Sequence, residues 1–315
     1  MQNRKLVFER AYMSTLVRLT LISNLGTIET SDLVEDAFDQ FEYVTKKFSR
    51  FDKKSELSKL NSSPKNKYIK ISAELFDLID FALRISKQTN GAYDPTIIDF
   101  LELYGYTREN NLDNLKNLGL YEEVKRLAKS RHKASEIRLK PEVNEIWLNK
   151  GQSIDLGGIG KGYAIDLAYK TLNTRLDSFL INAGGDIRAK GKNESGKPWL
   201  ISLARELLPN KQSKLNASDE WGKVELYNQA LAASGRSERK SGIFHHLIDA
   251  RTGLPVNNTH QVFVIANDAK TADAWATALF VAGKDGIDLI PTESHLNGIL
   301  IDHTEAMHPF PSIQL

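Results

Sequence analysis

Two constellations in this chain carry residues of the right type and spacing for chemistry on phosphates. The first is Asp155-Leu-Gly-Gly-Ile-Gly-Lys-Gly162. It is expected to follow a strand over residues 153–156 and to open a helix over 161–174. A glycine-rich helix start presents backbone amides and the positive end of the helix dipole, which suits a phosphate. Lys161 adds a cation at the same place. Two familiar phosphate loops do not fit. A Walker loop needs Gly, four residues, then Gly-Lys-Ser/Thr. Here Asp155 occupies the place of its first glycine and Gly162 that of its hydroxyl residue. A dinucleotide fingerprint needs Gly-x-Gly-x-x-Gly within a βαβ unit, whereas the glycines here stand at 157, 158, 160 and 162. Taken alone, the loop is equally compatible with a tight strand-to-helix turn that binds nothing.

The second constellation is Asp273 and Thr277, within Thr271-Ala-Asp-Ala-Trp-Ala-Thr277. A spacing of four puts both on one helix face, one turn apart. Trp275, Leu279 and Ala282 fall on roughly the opposite face and should pack inward. Two oxygen donors from one turn suit a hard cation such as Mg²⁺, which takes few protein ligands and completes its shell with water and phosphate oxygens. The plainer alternative is an acidic residue favoured by the helix dipole, with Thr277 on a packing face.

These residues need elements to hold them. Residues 6–12 and 16–22 predict a strand pair. Ser31 predicts the cap of a helix whose buried face carries Leu33, Val34, Ala37, Phe38, Phe41, Val44 and Phe48. A second helix starts after Ser72 and ends at Asn90-Gly91 with a left-handed cap. Residues 107–135 read as further helix. In the second half, strands are expected over 146–148, 153–156, 178–182, 199–203, 229–233, 245–249, 261–266 and 298–302, interrupted by helices over 161–174 and 271–282. Residues 61–67 and 208–220 are loop-like. Many strands with few intervening helices argue an α+β fold with largely antiparallel sheet and packed helices.

Composition narrows the function classes. The chain has 315 residues, 41% of them hydrophobic and 26% charged, which is ordinary for a globular protein with a sizeable core. The formal net charge of +2 gives no electrostatic case for nucleic acid. There is no cysteine, which excludes disulfides, thiolate metal sites and cysteine nucleophiles. No apolar run approaches the roughly 20 residues of a transmembrane helix.

The two constellations belong to a longer ordered series. Phe51-Asp-Lys-Lys-Ser-Glu-Leu-Ser-Lys-Leu-Asn61 comes first, then Asn90-Gly-Ala-Tyr-Asp-Pro-Thr96, the glycine loop, and Asn182-Ala-Gly-Gly-Asp-Ile187. Ala233-Ser-Gly235, His246-Leu-Ile-Asp-Ala-Arg-Thr-Gly253 and Thr271 to Thr277 follow. The series resembles the FAD:protein FMN transferase family, also called the ApbE family, from about residue 8 to residue 283. The resemblance implies one catalytic unit over 1–315, with an N-terminal α/β part to about 140, a flavin- and metal-binding core beyond it, and FAD in a central cleft. It implies a reaction: FAD is split at its pyrophosphate, FMN is joined through phosphate to a Thr or Ser hydroxyl of an acceptor protein, and AMP leaves. The implied cofactor is Mg²⁺, and the implied acceptor is a subunit of a redox complex.

Residue by residue, the resemblance implies that Met13 and Phe51 line the flavin pocket. Ala92, Tyr93 and Asp94 contact FAD, and Asp155 and Lys161 contact the nucleotide. The carbonyl of Gly158, with Asp273 and Thr277, holds Mg²⁺. His246 and Leu247 lie beside the flavin and its phosphates, with His246 taking the proton. Phosphoryl transfer of this kind rests on positioning and charge neutralisation. Several positions depart from the family pattern. Met13-Ser14-Thr15 replaces Met-Gly-Thr, Gly160 stands where Ala is common, Ala233 replaces Thr, and Ala250 replaces Pro. These changes point toward a divergent acceptor or a mainly hydrolytic member. The competing readings are a metal-dependent FAD pyrophosphatase and a non-catalytic FAD-binding protein. Relatives are often exported lipoproteins, but this sequence has no cysteine to lipidate. The expectation is a cytoplasmic protein, the alternative an exported, membrane-anchored one whose leader lies outside this sequence.

Overall fold

The computed structural model of the chain describes residues 4–106, 119–206, 220–235, 240–241, 244–245 and 247–311. Among them, eight strands form the main sheet: β1 (Arg4–Tyr12), β2 (Thr15–Ser23), β3 (Phe179–Ala183), β4 (Asp186–Lys190), β5 (Ala230–Gly235), β6 (Thr259–Ala266), β7 (Asn297–Asp302) and β8 (Met307–Phe310). They lie side by side in chain order, and every join is antiparallel. The α+β, antiparallel expectation is borne out.

Side-chain alternation decides what each face of the sheet meets. On β6, Val262, Val264 and Ala266 join the larger core, while Phe263 and Ile265 join a second core on the opposite face. The larger core is closed by helices. These are α1 (Thr27–Phe48), α2 (Glu56–Ser62), α3 (Ala73–Gln88), α4 (Ile98–Leu103), α5 (Gly119–Ser130), α6 (Gly157–Leu172) and α7 (Ala269–Ala282). α6 packs between α1 and α7, and α7 lies on β5 and β6. The second core is closed by a two-stranded ribbon, Trp199–Ala204 with Glu220–Leu226, through Trp199, Leu203, Trp221, Val224 and Leu226. A third, smaller cluster joins Phe100, Leu101 and Tyr104 to Val124 of α5 and to Ile248. Among the described residues, no helix is long and apolar enough to cross a membrane.

Most expected elements are present, with instructive exceptions. α3 is capped by Ser72, whose hydroxyl accepts from the Leu75 amide, and it is followed by Asn90 and Gly91 at φ +50° and +78°. α1 starts at Thr27, not after Ser31, because Oε2 of Glu29 reaches back to the Gly26 amide and opens the helix earlier. Residues 153–156 are not a strand. The backbone of Ile154 is bonded at both its amide and its carbonyl by the side chain of Asn61, each at 2.8 Å, and the Asp155 amide donates to the Pro95 carbonyl at 2.7 Å. Those bonds take the place of a sheet ladder. Residues 245–249 are not one strand either: Phe244–His245 pairs with Lys240–Ser241, and Ile248–Asp249 pairs with Leu254–Pro255. Of the expected helix over 107–135, the described part is α5, followed by a 3-10 turn at Ala134–Glu136. Residues 107–118 lie outside the described residues, as does nearly all of the loop-like 208–220, and the 61–67 loop begins only after α2 ends at Ser62.

Candidate functional site

The two constellations meet where α6 crosses α7. The crossing is close because Gly162 has no side chain: a β-carbon there would lie 2.3 Å from the Ala269 carbonyl oxygen. Each helix supplies a carboxylate to the other. Asp166 of α6 accepts from the amides of Ala269 and Lys270 at 2.8 and 3.0 Å, which satisfies first-turn donors of α7. Asp273 of α7 accepts through Oδ2 from the Gly162 amide at 3.1 Å. Burial pushes the Asp166 carboxyl up, and the charge of Arg188, its ion-pair partner, opposes that shift.

The expected metal donors lie on the two helices of this crossing. A β-carbon at Gly158 would lie 3.0 Å from Cε2 of Tyr93 and 3.4 Å from Oγ1 of Thr277. A side chain at Gly158 would press on Tyr93, and the glycine sits against both residues. Asp273 is buried and its carboxylate is held at Gly162, one turn along α6. In an α-helix the Gly162 amide is the partner of the Gly158 carbonyl. Asp273 is therefore bonded at the same amide that faces the Gly158 carbonyl along the helix. One carboxylate, one hydroxyl and one backbone carbonyl form an all-oxygen donor set that fits a hard divalent cation needing further oxygens from water or phosphate. Among the described residues, no three His, Cys, Asp or Glu side chains gather as a metal cage.

Tyr93 lies at the centre of the acidic residues. Burial drives its phenol well above its ordinary range, and the charges of Asp273, Asp155 and Asp94 drive it further. Both effects favour the neutral phenol. Asp155 folds back to accept from the Gly157 amide at 2.9 Å, and Arg50 stands 3.5 Å from its other oxygen. The guanidinium of Arg50 also lies over the ring of Phe51 at 4.1 Å and donates to the Tyr106 carbonyl. Phe51 itself is 40% exposed, a large apolar ring left open beside the glycine loop's acid.

Met13 occupies the two-residue turn between β1 and β2, with Ser14, and not a strand position. Both have positive φ, +50° and +62°, as the tight antiparallel turn demands. The turn carries Met13 to α6: its Cε lies 3.7 Å from where a β-carbon of Gly160 would be. Lys161 forms an ion pair with Asp186, which is fully buried and also accepts from the Ala233 amide at 3.2 Å. Leu247 is buried in the main core, and its carbonyl accepts from Val256. His246 lies outside the described residues.

Sequence reasoning passed over four residues that hold the site: Arg50, Arg131, Asp166 and Asp186. Arg131 is the most connected. It follows α5 and donates to Asp94 and Asp99, each at 3.2 Å, to the Thr96 hydroxyl at 2.7 Å, and to the Thr96 carbonyl. Asp186 lay inside a quoted motif with no role attached. Arg131 lay in a stretch read only as polar helix.

In sequence and in fold, the chain is similar to known flavin transferases. The FAD:protein FMN transferase of Haemophilus influenzae is 29% identical over 279 residues, covering 83% of this chain and 76% of that protein. The FAD:protein FMN transferase of Vibrio cholerae is 26% identical, covering 87% and 80%. Among solved structures, the ApbE protein of Thermotoga maritima superposes with a TM-score of 0.83 at 30% identity, covering 98% of this chain and 97% of that one. The flavin transferase ApbE of Vibrio cholerae shares the fold, with a TM-score of 0.84 at 22% identity and 98% coverage of both chains. The ApbE family model matches residues 13–300, a span that contains Met13, the glycine loop and the α6–α7 crossing, and the chain belongs to the ApbE family.

Proposed function

We propose that this protein transfers the FMN half of FAD to a Thr or Ser hydroxyl of an acceptor protein, releasing AMP. The observation that carries the reading is the α6–α7 crossing. There Gly158 lies against Tyr93 and Thr277, and Asp273 is held at Gly162, next to Lys161, which supports the reading.

The reaction forms a bond from the acceptor oxygen to the FMN phosphorus and breaks the pyrophosphate bond, so that AMP leaves with the bridging oxygen. The residues that would hold Mg²⁺ are Gly158 through its carbonyl, Asp273 and Thr277. A cation held there supplies charge neutralisation at the pyrophosphate. The ammonium of Lys161 stabilises the developing negative charge. Asp186 holds that ammonium in place and prevents the flexible lysine from straying. Tyr93, kept neutral, adds no repulsion to an already anionic ligand. Met13 and Phe51 border the flavin ring, and the loop of Ala92, Tyr93 and Asp94 borders FAD. His246 accepts the proton of the attacking hydroxyl, a task that suits an imidazole near neutral pH. The acceptor is read as the FMN-carrying subunit of a redox complex.

A flavin mass balance tests this. The protein is mixed with FAD and Mg²⁺, with and without a candidate acceptor domain, and AMP, FMN and acceptor mass are followed together. AMP matched by a gain of one FMN on the acceptor is the expected result. AMP matched by free FMN with every acceptor tried would make the enzyme a hydrolase, and no AMP at all would remove the catalytic reading.

A further inference from the structure

Arg131 joins three separate parts of the chain from a buried position. Its side chain is 4% exposed, and that of Asp94 6%. Its Nη1 donates to Asp94 and lies 3.5 Å from the Ala250 carbonyl, its Nε donates to Asp99, and its Nη2 donates to both the hydroxyl and the carbonyl of Thr96. The Thr96 hydroxyl donates to Oδ1 of Asp94 at 2.6 Å, and the Thr96 amide donates to the same oxygen at 2.7 Å. Both carboxylate oxygens of Asp94 are thus held by protein donors, and the loop they fix is the one that carries Ala92 and Tyr93.

The other side of this junction is the turn after Ile248–Asp249. The Tyr104 hydroxyl donates to the Gly253 carbonyl at 2.9 Å. A β-carbon on Gly253 would strike Phe100 at 2.5 Å and Val124 at 2.7 Å. The 248–253 turn therefore sits directly on α4 and α5, and Arg131 closes the contact at Ala250. A planar guanidinium with five donors in a fixed fork can hold several acceptors in one geometry, which a lysine ammonium does not reproduce.

We propose that Arg131 is a positioning residue that sets the spacing between residues 92–94, which border FAD, and the 248–253 turn. The proposal rests on the FAD-binding reading above. It assigns Asp94 to fixing the loop through Arg131 and Thr96. Arg131 acts from behind the site and touches neither the flavin nor the phosphates.

The test compares full-length Arg131→Met and Arg131→Lys with wild type, measuring FAD affinity by quenching of flavin fluorescence in Mg²⁺, kcat for AMP release at saturating FAD, and thermal unfolding. Arg131→Met, at temperatures where it is folded, is expected to weaken FAD at least tenfold while kcat falls less than threefold. Arg131→Lys is expected to recover part of the affinity. A folded Arg131→Met with wild-type FAD affinity would overturn the proposal, since a merely structural arginine lowers the unfolding temperature and leaves affinity alone. If that variant does not fold, Thr96→Val removes one arm of the clamp. A severalfold loss of FAD affinity supports the proposal, and none overturns it. Failure of the wild type itself to bind FAD would strike the transferase reading instead.

Discussion

The Gly162 amide donates to Oδ2 of Asp273 across the α6–α7 crossing, 3.1 Å from nitrogen to oxygen. This bond ties the glycine loop to the helix that carries the candidate metal donors. It orients the carboxylate toward α6. Fold and site are coupled there by one hydrogen bond.

The coupling separates two substitutions of Asp273. Asparagine keeps an oxygen for the Gly162 amide but loses the charge. Asp273→Asn should retain stability within about 1 kcal/mol, while Mg²⁺-dependent AMP release falls about 100-fold or more. Asp273→Ala loses both and should also destabilise the fold by about 1–3 kcal/mol, because a buried amide forfeits its acceptor. Urea unfolding together with AMP release against Mg²⁺ concentration reads both effects. Full activity in Asp273→Asn would remove this residue from the metal set.

Lys161 and Asp186 form the second test. Asp186 is 1% exposed and shares its two oxygens between the Lys161 ammonium and the Ala233 amide. Lys161→Met strands a buried carboxylate and should cost about 3 kcal/mol. Adding Asp186→Asn should return a large part of that stability without returning AMP release. If the double variant recovered activity as well, Lys161 would have no role at the phosphates beyond neutralising Asp186.

What the sequence made legible was periodic or local. The strand over 261–266, the helix that carries Asp273 and Thr277, and the helix start after Ser72 each depend on neighbours a few positions apart, and all are present. What it hid was set at long range. Residues 153–156 have the pattern of a strand, but the partner of Ile154 is the Asn61 side chain, 93 positions away. Arg131 reads as one more polar residue near a polar helix, and only the fold shows the acids of 94 and 99 closing around it. The crossing of α6 and α7 announced itself faintly, as a glycine at 162 that no phosphate loop required.

Ser14 tests a departure from the family pattern. It stands at φ +62° in the β1–β2 turn, where an L side chain costs roughly 1–2 kcal/mol, and glycine largely avoids that cost. Ser14→Gly should stabilise the protein by about 0.5–1 kcal/mol after the greater unfolded-state freedom of glycine is allowed for. Ser14→Ala should give no gain. Equal stability of all three by thermal unfolding would mean that the serine is not strained there. FAD affinity measured on the same proteins reports whether Met13, next to it, depends on the turn.

The acid side of stability is expected to depend on Glu74, which joins α1, α3 and α6. It receives the Lys47 ammonium and the hydroxyls of Tyr163 and Tyr43. Burial pushes its carboxyl up, but those three donors together outweigh burial and hold it below the ordinary 4.5 of a glutamate. A carboxylate with a lowered value in the folded state binds its proton more readily when unfolded. Its contribution is therefore present above pH 4.5 and is lost as pH falls through the lower folded value. Glu74→Gln should destabilise the protein at pH 7 by about 1–3 kcal/mol, since bonds to a charged acceptor are replaced by weaker ones. The two proteins should converge in stability toward pH 3, because the wild type surrenders the same interactions on protonation. Urea denaturation at pH 7, 5, 4 and 3 measures the gap. A gap that stays constant across that range would assign the loss to packing rather than to the charge of Glu74.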